Sequence, residues 1–167
     1  FDISGITPGT YLAQFVDPNA MMQGGMAGMN FRQVPVEVTD GAVTEIDFAP
    51  PPGSVPVSGA IAGELGAMTT ITLRREGGLA PEEINPLDIT AGIEQAQYNA
   101  GTAFAAQDGS FSVEGVEPGT YILEVFSFDF DPMKPDVGAM MEMDRTPVIR
   151  REIVVEEGQP PHLDLEL

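Results

Sequence analysis

Apolar and polar residues alternate with a period of two along most of the chain. In Tyr121-Ile122-Leu123-Glu124-Val125 the first, third and fifth side chains share one face, and Tyr11, Ala13 and Phe15 repeat the arrangement near the start. These positions read as core-facing. Val34, Val36 and Val38 alternate with Gln33, Pro35, Glu37 and Thr39, while Leu163, Leu165 and Leu167 alternate with His162, Asp164 and Glu166. The same phase picks out Val55, Val57, Gly59 and Ile61, then Ile71 and Leu73, then Ile153 and Val155. Helical spacing competes only over 82–98, which leaves room for one short helix.

The punctuation between these runs agrees. Gln107-Asp108-Gly109-Ser110 places a glycine where a tight hairpin needs positive φ, and Asp40-Gly41 and Glu157-Gly158 do the same before the last strand of each half. Pro8-Gly9 and Pro118-Gly119 set a bend before each tyrosine strand. Seven or so short strands with turns at this spacing predict an all-β chain folded as an antiparallel β-sandwich, Ig-like or transthyretin-like in plan.

The chain also repeats itself. FDISGITPGTYL at 1–12 and FSVEGVEPGTYI at 111–122 share Phe, Gly, Pro, Gly, Thr and Tyr in register, an offset of 110. VPVEVTDGAVTEIDF at 34–48 aligns with the end of the chain at an offset of 117, pairing Gly41 with Gly158, Ile46 with Leu163 and Phe48 with Leu165. Only the second copy has a front half. The organisation expected is therefore the C-terminal half of a sandwich repeat over 1–49, a stiff extended proline-rich linker over 50–54, and a complete repeat over 55–167. An opening on Phe1, inside a strand-like alternation, reads as a processed or partial product.

Composition narrows the chemistry. The 167 residues carry 26 acids against 7 bases, a formal charge of −19, which repels phosphate backbones and anionic bilayers. Nucleic acid is excluded as a partner on that ground, and membrane insertion by the lack of any long apolar run. With no cysteine and one histidine there is no disulfide framework, no thiol nucleophile and no multi-histidine metal site. No cofactor is expected.

The run Asp108 to Val125, with Asp108-Gly109-Ser110-Phe111 followed by Val116-Glu117-Pro118-Gly119-Thr120-Tyr121-Ile122-Leu123, resembles the carboxypeptidase regulatory-like (transthyretin-like) domains and the Cna-B-type repeats. Val55-Pro56-Val57-Ser58-Gly59 is similar to their opening strand, so the resemblance spans roughly 55–167, and 1–48 matches its back half. It implies a spacer, stalk or accessory domain at the cell surface or outside the cell, rather than a catalyst. Cna-B repeats often carry a Lys–Asn crosslink; the one lysine here, Lys134, lies in a loop and not in the first strand.

Two loops after the tyrosine strands hold eight of the nine methionines: Met21, Met22, Met26 and Met29 in one, Met133, Met140, Met141 and Met143 in the other. Thioethers suit Cu(I), and equally suit irregular packing or an adaptable contact surface between modules. Asp129, Asp131, Asp136, Glu142 and Asp144 crowd the second loop, where oxygen ligands suit Ca²⁺ although the spacing fits no EF-hand, and a solvated acidic loop is the plainer account. His162 alternates outward beside two acids and faces no nucleophile. Tyr98 and Phe104 are candidates for stacking on sugar, Phe104 equally for a core position.

The function expected is a non-catalytic structural or adhesive repeat of a secreted or surface protein, part of a fibre or tandem array. Its partners are other copies or adjacent repeats, met through strand edges and the Met-rich loops. The alternative is an accessory ligand-binding module, for carbohydrate or for Cu(I) or Ca²⁺ at those loops.

Overall fold

The computed structural model describes residues 3–15, 30–85, 88–129 and 145–167. They form nine strands: β1 (Gly9–Phe15), β2 (Asn30–Val38), β3 (Val55–Ala62), β4 (Met68–Arg75), β5 (Asn99–Phe104), β6 (Ser110–Val116), β7 (Gly119–Phe128), β8 (Ile149–Val155) and β9 (His162–Glu166). One sheet has six strands in the order β1-β2-β5-β4-β7-β8, the other three in the order β6-β3-β9. The chain is an all-β sandwich. Its core lies between the sheets and includes side chains that alternation selects, with Val57, Ile71, Leu73, Tyr121, Leu123, Val125 and Val155 all buried, joined by Val113 and Val116 of β6. A short α-helix, α1 (Ile89–Ala96), starts where the carboxylate of Asp88 accepts the Ala91 N–H at 3.0 Å.

One pairing departs from the antiparallel expectation: β9 runs parallel to β3, with Gly59 beside Leu163. After β8, at the rim of the large sheet, the chain turns and crosses to the small one, entering on the edge of β3 that β6 leaves free. Gly59 makes the approach feasible, because a Cβ there would stand 2.1 Å from the Leu163 carbonyl oxygen and 2.8 Å from the Phe111 ring.

The turn at Asp108-Gly109 is a second correction. It does not close a hairpin between paired strands, since β5 and β6 lie in different sheets. Both edges of β5 are already occupied, by β4 and by β2, so the chain after β5 has to change sheets. The proline-rich stretch differs too. It does not run on extended but closes a turn, the Ser54 N–H meeting the Pro51 carbonyl at 3.1 Å with Gly53 at φ 78°.

The repeat is visible in three dimensions. β1 pairs with β2 from Gly9↔Val38 to Phe15↔Arg32, and β7 with β8 from Gly119↔Val155 to Val125↔Ile149, so every pair of the first hairpin maps onto one of the second. The first hairpin joins the rest of the six-stranded sheet through Asn30↔Ala103 and Phe31↔Thr102, and α1 lies against both its strands. The core role expected of Tyr11 is not met: it is 37% exposed, against 2% for Tyr121. Residues 42–50, aligned with β9, form no strand. The cause is shared, since β9 takes its ladder from β3 and Tyr121 its cover from the opposite sheet, and the first copy has neither.

Candidate functional site

The sequence motif shared by the two copies resolves into a small repeated structure. Ahead of each hairpin, the tyrosine hydroxyl donates to the carbonyl four residues back, Tyr11 to Thr7 and Tyr121 to Glu117, both at 2.7 Å. Gly5 and Gly115 hold φ of 77° and 70°, and Gly41 and Gly158, after the second strands, 70° and 68°. The Pro-Gly-Thr-Tyr motif is thus the corner that starts a hairpin in fixed register. Beside the second corner is an open hollow of about 350 Å³ lined by Arg75, Glu117, Pro118, Gly119, Thr120 and Tyr121. Arg75 and Glu117 pair with each other across it, so neither charge is left to seize a ligand.

A heavily bonded polar group lies on the outward face of the large sheet. Glu124 is fully buried although its phase on β7 points away from the core. Arg74 on β4 contacts it with Nε at 3.2 Å and Nη2 at 3.1 Å, and Arg150 on β8 with Nε at 2.8 Å. The same two arginines reach the β4–β5 crossover: Arg74 donates to the Gly78 carbonyl at 2.8 Å, and Arg150 grips both oxygens of Glu82 at 2.9 and 2.7 Å. The crossover is therefore clamped over the sheet by a chain of two acids and two bases. Arg150 holds the Glu82 carboxyl below its ordinary range, and Glu82 first and then Glu124 raise the Arg150 guanidinium above its own. Alternation alone puts Glu124 on the face of β7 opposite the core side chains Leu123 and Val125. The signal that was present, an outward Glu with outward arginines on other strands, becomes legible only when β4, β7 and β8 are known to be neighbours.

His162 stands opposite Ser58 in the β3–β9 ladder, with Nδ1 3.4 Å from Ser58 Oγ and Nε2 3.9 Å from Asp164 Oδ1. The order of groups suggests acyl-transfer chemistry, but the geometry does not supply it. The serine contact is longer than a base–nucleophile bond, the imidazole is 66% and the carboxylate 92% exposed, and the string lies on a sheet face away from the hollow.

Phe104 is half-buried and meets Phe31 edge to face with ring centroids 5.4 Å apart, so it joins the hairpin to the module. Tyr98 is half-buried against Gly77 and Gly78. Of the proposed calcium ligands, Asp129 is exposed, while Asp131, Asp136, Glu142 and Asp144 lie outside the described residues. So do Met21, Met22, Met26, Met29, Met133, Met140, Met141, Met143 and Lys134. Among the described residues no cluster of three or more His, Asp or Glu could hold a metal ion, and no helix is long and apolar enough to cross a membrane.

No family model matches the chain, and neither does any curated protein or solved structure.

Proposed function

We propose that the chain is a non-catalytic structural repeat of a secreted or surface protein, built to be strung in a tandem array. One observation carries the reading: the β1–β2 hairpin reproduces the β7–β8 hairpin pair for pair, down to the phenol bond, and continues the sheet of the neighbouring module at β5. Repetition of a strand unit with its corner intact is how arrays extend by duplication. The buried charge is spent on clamping a crossover, and the one histidine sits on an open sheet face, which leaves the edges and faces of the sheets as the working surfaces. Placement outside the cell or at its surface follows from the likeness of the Asp108 to Val125 run to carboxypeptidase regulatory-like and Cna-B-type repeats.

The join between hairpin and module tests this reading. The chain has no cysteine, so replacing Phe31 and Thr102, which face each other across β2 and β5, by Cys introduces a single possible disulfide. It should form readily in oxidising buffer at protein concentrations too low for intermolecular pairing. A hairpin that fails to crosslink and whose amides exchange as fast as in free peptide would end the tandem reading, as would intracellular retention of the parent protein for placement outside.

A further inference from the structure

We infer that Asp40-Gly41 is a site of spontaneous covalent modification, where the aspartate isomerises through a cyclic imide to isoaspartate. The step needs no enzyme and no partner. The Gly41 nitrogen attacks Cγ of the protonated Asp40 carboxyl, a C–N bond forms there, and the amide proton and the carboxyl's hydroxyl leave together as one water. Another water then opens the ring at either carbonyl. Opening at the former main-chain carbonyl leaves the backbone running through Cγ, one methylene longer, with a free α-carboxylate beside it. Glycine in second place matters because it has no Cβ to hinder the attack.

Asp-Gly occurs twice in the chain, at 40–41 and 108–109, and Asn-Gly nowhere. The surroundings of the two pairs are opposite. At Asp108 both reacting groups are tied: Oδ1 accepts the Ser110 hydroxyl at 2.6 Å and the Ser110 N–H at 3.0 Å, and the Gly109 N–H donates to the Ala106 carbonyl at 2.9 Å. The Ser110 hydroxyl, and then its amide, hold the Asp108 carboxyl below its ordinary range, in the anionic form that has no hydroxyl to expel. The Gly109 carbonyl is fixed as well, by the Ile61 N–H at 3.0 Å. Asp40 and Gly41 form the exposed tip of a turn that the Ala42 N–H closes on the Thr39 carbonyl at 3.3 Å. Among the described residues, neither the Asp40 carboxylate nor the Gly41 N–H has a hydrogen-bond partner.

The second copy supplies a further contrast. Gly158 repeats Gly41 with φ of 68° against 70°, but Glu157 stands where the first copy has Asp40. Ring closure from a glutamate would give six members in place of five, which is much slower, so one methylene separates a reactive turn from an inert one of like conformation. The fold tolerates the change at Asp40. The β1–β2 ladder ends at Gly9↔Val38, before Asp40, and 42–50 forms no strand, so the product collects in folded protein.

Warm storage of the full chain at mildly acidic pH, folded and in urea, tests this, with digestion by a protease that cuts before aspartate and not before isoaspartate. In the folded chain the cut at Asp40 should be lost about tenfold faster than that at Asp108, and a peptide spanning 40–41 should appear lighter by one water. In urea, where the ties on Asp108 are gone, the two rates should agree within about twofold. Asp40→Glu should abolish the change at 40–41, and Ser110→Ala should quicken it at Asp108 while leaving Asp40 as before. Folded Asp40 isomerising no faster than Asp108, or a tenfold gap that persists undiminished in urea, would each overturn the inference.

Discussion

Tyr11 and Tyr121 form the same hydrogen bond, each to the carbonyl four residues earlier at 2.7 Å, in opposite surroundings. Tyr121 is roofed by the small sheet and Tyr11 is not, so one motif at two positions separates what the corner contributes from what the core contributes.

Removing only the hydroxyl, Tyr121→Phe should cost about 1 kcal/mol, the usual net value of one hydrogen bond, and Tyr121→Ala about 3–5 kcal/mol through the cavity it opens. The corresponding changes at Tyr11 should each cost under about 1 kcal/mol, because its ring has little to lose by way of burial. Urea midpoints with unchanged slopes check this, and equal losses at the two positions would show that Tyr11 is covered in solution.

Glu124 is a buried charge between two guanidiniums, so deletion of one partner strands the others. Glu124→Ala should destabilise by about 3–5 kcal/mol, whereas replacing the trio together, Arg74→Met, Glu124→Leu and Arg150→Met, should recover most of that loss, since an apolar trio has no desolvation to offset. A triple variant as unstable as Glu124→Ala would mean that the clamp on the crossover, rather than charge balance, dominates. Proteolysis of the 76–85 segment should quicken most in the triple variant, which removes the two arginines that hold Glu82 and the Gly78 carbonyl, and less in Glu124→Ala, which keeps them.

Period-two alternation exposed the sandwich because it is local: Leu123 and Ile71 face inward whatever pairs with them, and they are buried as expected. The Pro-Gly-Thr-Tyr corner was legible because it occurs twice. Relations set by neighbours across sheets were not. Gly59 reads as one more small residue until β9 is known to run beside it, and the turn at Gly109 reads as a hairpin until β5 is known to be enclosed on both sides. Glu124 reads as one more outward residue for the same reason, its cover arriving from a crossover whose own sequence carries no strand signal. In the first copy the alternation is as good as in the second, yet Tyr11 stays half-open and 42–50 forms no strand, since pattern sets which face is apolar and not what covers it.

Stability in acid should report the Arg150–Glu82 pair. Glu82 has its carboxyl lowered on folding, chiefly by the Arg150 side chain and then by its own backbone. The contribution is therefore complete above the unfolded carboxyl's ordinary value, about 4.3, and is lost as pH falls through the lower folded value. Glu82→Gln should be less stable than the parent at neutral pH by under about 1 kcal/mol, as befits a pair at the surface, and the gap should narrow as pH falls through the lowered folded value. Asp108, lowered by the hydroxyl and amide of Ser110, should behave alike in Asp108→Asn. A gap that widens in acid would mean the sign is wrong and that the pair is not formed in solution.

Two glycines should respond to the same substitution with opposite signs. At Gly59 the new methyl would meet the Leu163 carbonyl oxygen at 2.1 Å and the Phe111 ring at 2.8 Å, and neither can withdraw, one being backbone in a ladder and the other part of the core. Gly59→Ala should therefore push β9 off the edge of β3, at a cost of about 3 kcal/mol or more, the upper end for overpacking, with β9 amides losing protection first. Gly92, inside α1, has nothing within 4 Å of the position a Cβ would take, and alanine restricts the unfolded chain while favouring helix. Gly92→Ala should stabilise by about 1 kcal/mol. Urea unfolding of both variants decides the matter: a neutral Gly59→Ala would show that β9 does not run against β3, and a destabilising Gly92→Ala would show that the outer face of α1 is covered.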